Sequence, residues 1–113
     1  MAVVHFVERT DNVRKIDPSR NEWESGAWPL TEQVAQKLVG GVLYLHRTKL
    51  ASSHFGGEII DYRIEQSEKE PVGPRVIFKL RAKADCKGVK IQAKGWSKDC
   101  KIVWDTPGEA PDA

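Results

Sequence analysis

Residues Val76-Ile77-Phe78-Lys79-Leu80-Arg81-Ala82-Lys83 alternate apolar and cationic side chains from Phe78 onward, and that period of two constrains the fold more than any other feature of the chain. Successive side chains of a strand point to opposite faces of its sheet. Val76, Phe78, Leu80 and Ala82 are therefore predicted to face a core, while Lys79, Arg81 and Lys83 share the wet face. A second run, Ile59 to Glu65, puts Ile60, Tyr62 and Ile64 on one side and Asp61, Arg63 and Glu65 on the other. Gln66 to Pro74 joins the two runs and holds the turn formers Pro71, Gly73 and Pro74. An antiparallel hairpin of 59–65 with 75–83 is the expectation.

The other elements follow from weaker patterns. Residues 2–8, rich in Val and Phe, read as a strand. Arg9 to Pro29 shows no convincing period, and its Asp-Asn, Asp-Pro-Ser and Ser-Gly punctuation reads as one long loop carrying Trp23 and Trp28. Leu30 to Val39 is a predicted helix. Thr31 can cap it with its hydroxyl, Leu30, Val34 and Leu38 form a stripe that needs a partner surface, and Gly40-Gly41 ends it because glycine takes a left-handed conformation without steric cost. Val42 to His46 is a short apolar strand, buried on both faces, and Arg47 to His54 a polar loop. Val89–Ala93 and Ile102–Trp104 are weaker strands around a turn at Gly95–Asp99, and Asp105–Ala113 is a tail. The predicted fold is α+β, mostly β: a small antiparallel β-barrel of about six strands, with the helix near residues 30–39 covering one end.

A chain of 113 residues is one domain's length, so residues 1–104 are expected to form a single domain. No apolar run approaches the roughly 20 residues of a membrane span, and the N-terminus lacks the features of a signal peptide, which makes the cytoplasm the simplest address. Cys86 and Cys100 are too few for a disulfide framework; they are expected as free thiols, or as a bridge if their segments are hairpin neighbours. His46 and His54 have no third ligand in a useful register, so neither a metal nor any other cofactor is expected.

Charge is distributed unevenly. From Arg75 to Lys101 nine basic residues face two acidic ones, Asp85 and Asp99, whereas the rest of the chain holds nine basic and fourteen acidic residues. Such a split gives one part of the molecule an attraction for polyanions. Lys79, Arg81 and Lys83 at period two would place three cations in a row about 7 Å apart, a spacing able to follow a phosphate backbone. Lys90, Lys94 and Lys98 extend the field, and Trp96 between Lys94 and Lys98 offers a flat surface for a base. The same lysines would also serve a plain solubilising role on a strand.

No phosphate-cradling glycine loop, nucleophile elbow or His-Glu-x-x-His motif is present. An acid/base pair drawn from His46, His54, Lys49 and Glu58 is conceivable, since histidine titrates near neutrality. A pocket mouth could also form from Arg47, Lys49, Ser52, Ser53 and His54, with Tyr44 and His46 on the preceding strand and Trp23 or Trp28 from the early loop.

The succession Gly40-Gly41-Val42-Leu43-Tyr44-Leu45-His46, a polar loop, then Gly56-Gly57-Glu58-Ile59-Ile60-Asp61-Tyr62 resembles the PUA-like superfamily, including its ASCH and EVE branches, over about residues 30–83. The resemblance implies a small β-barrel with flanking helices that binds RNA or modified bases in DNA. The chain also looks like small proteins common in bacterial genomes and mobile gene cassettes. A non-catalytic nucleic-acid-binding module is the leading expectation. The alternatives are a small-ligand or protein-binding protein that self-associates through its charge asymmetry, and a small nuclease or hydrolase.

Overall fold

A computed structural model describes residues 2–8, 13–68, 72–90, 96 and 100–104. Its elements are β1 (Val3–Val7), β2 (Val13–Asp17), β3 (Glu22–Trp28), α1 (Glu32–Leu38), β4 (Val42–His46), β5 (Ser53–Ser67), β6 (Gly73–Ala82) and β7 (Cys100–Val103), with single 3-10 turns at Pro18–Arg20 and Ala84–Cys86. The strands form one seven-stranded sheet in the order β2-β3-β6-β5-β4-β1-β7.

The hairpin expected from the two alternating runs is present and longer than predicted. β5 and β6 pair antiparallel from Gly57 opposite Ala82 to Ser67 opposite Gly73. The register shifts once. Ile59 lies opposite Leu80, Asp61 opposite Lys79 and Tyr62 opposite Phe78, so Ile60 is one extra residue on β5. Such a bulge changes the phase of the strand. Ile59, rather than Ile60, therefore joins Tyr62 and Ile64 on the core side, facing the fully buried Val76, Phe78 and Leu80.

Three expectations need correction. The stretch read as a loop from Arg9 to Pro29 instead contains β2 and β3, which pair antiparallel. Its period was hidden because β2 is an edge strand of mixed charge, secured by cross-strand side chains. Arg14 meets Glu24 at 2.6 Å, and the Lys15 ammonium lies over the Trp23 ring at 5.1 Å. Asp17 makes the connection compact by accepting the amides of Ser19 (3.0 Å) and Arg20 (3.3 Å).

The predicted antiparallel barrel is instead an open mixed sheet. β1 inserts beside β4 in parallel, from Val3 opposite Val42 to Val7 opposite His46, and β7 pairs antiparallel beyond it. The outer strands are then β2 and β7, at opposite ends of the order, and the sheet does not close. Finally, the predicted strand at Val89–Ala93 is not formed at Val89 and Lys90, and the remainder of it lies outside the described residues, as do most of the Gly95–Asp99 turn and the 105–113 tail.

α1 begins and ends as its sequence dictates. The Thr31 hydroxyl accepts the Val34 amide at 3.2 Å. At the other end Gly40 takes φ +90°, while the Gly41 amide donates to the Leu38 carbonyl at 2.9 Å. Ala35 and Leu38 are fully buried, and Leu30 and Val34 pack around them. The helix thus covers the sheet face built from Val4, Phe6, Leu43, Leu45, Ile59, Val76, Phe78 and Leu80. Trp28 closes this core by stacking on Phe6, with ring centroids 4.0 Å apart.

Gly56, on the opposite face, lets the chain after β6 come close. A Cβ at this position would lie 2.8 Å from the Cys86 Cβ and would also meet backbone atoms of β4. Gly56→Ala is therefore expected to destabilise the fold by about 1–3 kcal/mol. Urea unfolding should show a lower midpoint at unchanged slope, and a midpoint equal to the parent's would refute the close packing.

Candidate functional site

The cationic row of β6 faces away from the core, as the alternation predicted, but it does not face solvent alone. Glu22 lies opposite Arg81 and Glu24 opposite Lys79 in the β3–β6 ladder, with Glu58 opposite Arg81 on the other side. The Glu22 carboxylate, which is 5% exposed, reaches Lys79 Nζ at 3.4 Å and Arg81 at 3.6 Å, and Glu58 reaches Arg81 at 3.7 Å. Glu24 similarly accepts Arg14 at 2.6 Å and Arg63 at 3.1 Å. The hydrogen bonds from Arg63, and after them those from Arg14, hold its carboxyl below the usual carboxylate range. This face is a lattice of alternating charges. Lys79 and Arg81 spend their charge within it.

Lys83 leaves the lattice. The chain from Lys83 to Lys90 turns through Ala84–Cys86 and runs back along the start of β5, fixed there by several bonds. The Lys83 amide donates to Gly56 (3.1 Å), the Gly88 amide to Ser53 (2.7 Å), and the Ser53 amide to Val89 (2.8 Å). The Ser53 hydroxyl accepts the Val89 amide at 2.9 Å and donates to the Cys86 carbonyl. Lys83, Lys87 and Lys90 are all exposed on this pinned segment and form no ion pair among the described residues. Lys94 and Lys98 lie outside the described residues.

The proposed pocket residues do not converge. Trp23 pairs opposite Leu80 and meets the Phe55 ring edge-on, with centroids 5.0 Å apart; Trp28 lies on Phe6. Both belong to the core face. Tyr44, His46 and Ser53 lie on the other side of the sheet. Arg47 and Ser52 are exposed on the loop above them, Lys49 is half-buried there, and His54 is the extra residue where the β4–β5 register shifts.

What the second face does contain is a buried histidine pair. Parallel pairing of β1 and β4 sets His5 opposite Tyr44, with His46 two residues further along β4 on the same face. His5 Nδ1 lies 3.0 Å from His46 Nε2, and His46 Nδ1 lies 2.9 Å from the Ala51 carbonyl. That carbonyl only accepts, so His46 Nδ1 carries a proton. His5 stacks on Tyr44 at 4.9 Å, and Trp96 meets His5 and His46 edge-on at 6.4 and 5.8 Å. Trp96 is thus packed against imidazoles. His5 and His46 are 3% and 0% exposed. Burial first, then the neighbouring charges of His46 and Lys101, lower the His5 pKa to about 4.

His5 escaped the sequence reading. Its only signal was its place between the core-facing Val4 and Phe6, which assigns it to the other face but names no partner. The partner came from a parallel pairing across about forty residues. Cys86 belongs to this second face, near Gly56, while Cys100 lies on the core face opposite Phe6; both thiols are free. Burial pushes the Cys100 thiol up to about 11. Among the described residues no three His, Cys, Asp or Glu side chains gather as metal ligands, and no helix is long and apolar enough to cross a membrane. Comparison of the chain with protein-family models, curated proteins and solved structures finds no match.

The lowered His5 pKa has a sign. The unfolded chain takes up a proton near pH 6.5 and the folded chain only near 4, so stability is complete above pH 6.5 and declines as pH falls between those values. The loss is about 3 kcal/mol. His5→Gln, which keeps a donor but cannot titrate, is expected to remove that part of the pH dependence of urea unfolding. Parallel profiles for parent and variant would show that His5 carries no such linkage.

Proposed function

We propose that the protein is a non-catalytic nucleic-acid-binding module, and that its contact surface is the pinned segment after β6. The observation that carries this reading is the exposure of Lys83, Lys87 and Lys90 on backbone held to β5 by hydrogen bonds. Cations without carboxylate partners on an ordered segment can neutralise phosphates at little ordering cost, and each phosphate neutralised releases counterions. The ion-paired Lys79 and Arg81 form the scaffold behind it. The surplus of positive charge continues in sequence through Lys94 and Lys98. The resemblance to PUA-like domains points to the same class of ligand, RNA or modified bases in DNA.

A catalytic reading gains less support. His46 is fully buried, with one ring nitrogen on His5 and the other on a backbone carbonyl. A general base needs to reach a substrate.

Binding to single- and double-stranded DNA and RNA, followed by fluorescence anisotropy across salt concentrations, tests the proposal. The triple variant Lys83→Glu, Lys87→Glu, Lys90→Glu should weaken binding across sequences and flatten the plot of log affinity against log salt by up to about three. Absence of binding at low salt, or an unchanged slope in the variant, would sink it.

A further inference from the structure

β5 is longer than the strand beside it. β4 covers it only from Ser53 to Glu58, and Ile59 is covered next by the end of α1, its amide donating to Gly41 (2.9 Å) and its carbonyl accepting from Gly40 (2.8 Å). Beyond Ile59, no strand lies on that side among the described residues, while β6 stays paired on the other side as far as Ser67. Backbone groups along a strand alternate in direction. Ile59 turns its groups away from β6, and the bulge at Ile60 adds one residue. The groups of Tyr62, Ile64 and Gln66 therefore point outward. In agreement, the Tyr62 amide is met not by β6 but by the neighbouring Asp61 carboxylate, at 2.8 Å.

An open run of this kind is a template for another strand. We propose that its occupant is the same run of a second copy, paired antiparallel about a two-fold axis at Ile64. The charges select this register. Centred on Ile64, each Arg63 stands opposite the partner's Glu65, and Tyr62 stands opposite the partner's Gln66. Centring on Arg63 would set two arginines face to face and Asp61 against Glu65. Centring on Glu65 would oppose two glutamates. Centring on Tyr62 would drive the second strand into Ile59, which the end of α1 already occupies. Opposite charges directly across a ladder stabilise and like charges destabilise it, so of these four registers the one centred on Ile64 is both clear of the end of α1 and complementary. Arg63 and Glu65 lie on the exposed face, 2.8 Å from each other within one chain, while Arg63 also holds Glu24 at 3.1 Å; on pairing, Glu65 passes from its own Arg63 to the partner's and the Glu24 contact stays. Ile64, half-buried on the core side, would meet its own copy and lengthen the apolar face.

This inference is independent of nucleic-acid binding. Sedimentation of the whole chain over a range of concentrations reads it directly, with circular dichroism confirming that each variant is folded. The parent should reach a dimer. Ile64→Pro removes an outward donor at the two-fold axis and no bond to β6, so it should weaken self-association at least about tenfold. Arg63→Glu and Glu65→Arg should each be monomeric alone, because each sets like charges opposite one another. Mixed together, they should form a heterodimer, since both cross-strand pairs are then complementary. A parent that stays monomeric at every concentration, a dimer indifferent to Ile64→Pro, or a mixture that stays monomeric would each overturn the proposal.

Discussion

The pairing of β5 with β6 is the contact on which the rest of this structure depends. It is the longest ladder in the sheet, and both of its strands sit in the interior of the strand order. On one face it supplies Ile59, Val76, Phe78 and Leu80 to the core. On the other it holds the cations that draw β3 into place through Glu22 and Glu24. The bulge at Ile60 lets one strand serve both ends. Before it, β5 matches β4; after it, the strand keeps its apolar face toward α1, and Tyr62 reaches the Glu32 carboxylate with its hydroxyl at 3.0 Å. Without the inserted residue, Tyr62 and Ile64 would turn to the charged face.

The parts legible in the sequence were those whose period is enforced by burial on one side only. β6 has an apolar face and a charged face, and its alternation could be read almost residue by residue. α1 was legible from its cap, its stripe and its closing glycines. β2 and β3 were not, because β2 lies at an edge and carries Arg14, Lys15 and Ile16 at exposed positions. Its stability comes from partners on another strand, which a local pattern does not record. The barrel was a reasonable closure for a run of antiparallel strands. What defeated it was β1 choosing a parallel neighbour distant in sequence, a contact that no short-range period specifies.

The same distinction separates the two histidine readings. In the sequence His46 ends an apolar strand and joins His54, Lys49 and Glu58 as acid/base candidates because histidine titrates near neutrality. Its true neighbour is His5. A polar pair between adjacent strands, stacked by Tyr44 and edged by Trp96, links His5 Nδ1, His46 Nε2 and His46 Nδ1 in a chain that ends on the Ala51 carbonyl. Buried polar groups that are so connected specify one arrangement of the strands carrying them. Here they fix the parallel register of β1 on β4, which the apolar side chains Val4, Phe6, Leu43 and Leu45 alone would specify less sharply.

Charge shows how far a count along the chain departs from a field in space. The surplus of seven between Arg75 and Lys101 suggested a single cationic face. Folding divides it. Lys79 and Arg81 sit between β3 and β5, whose inward carboxylates were counted in the acidic part of the chain, and a nearly buried Glu22 shares itself between them. An ion pair at such range cancels most of the field that either charge would project to a distant phosphate. Lys83, Lys87 and Lys90 follow the last paired residue of β6 and have no carboxylate strand beside them. The exposed cations that carry no ion pair among the described residues are therefore displaced from β6 to the segment that leaves it, and the alternating pattern on β6 is a lattice of ion pairs behind them.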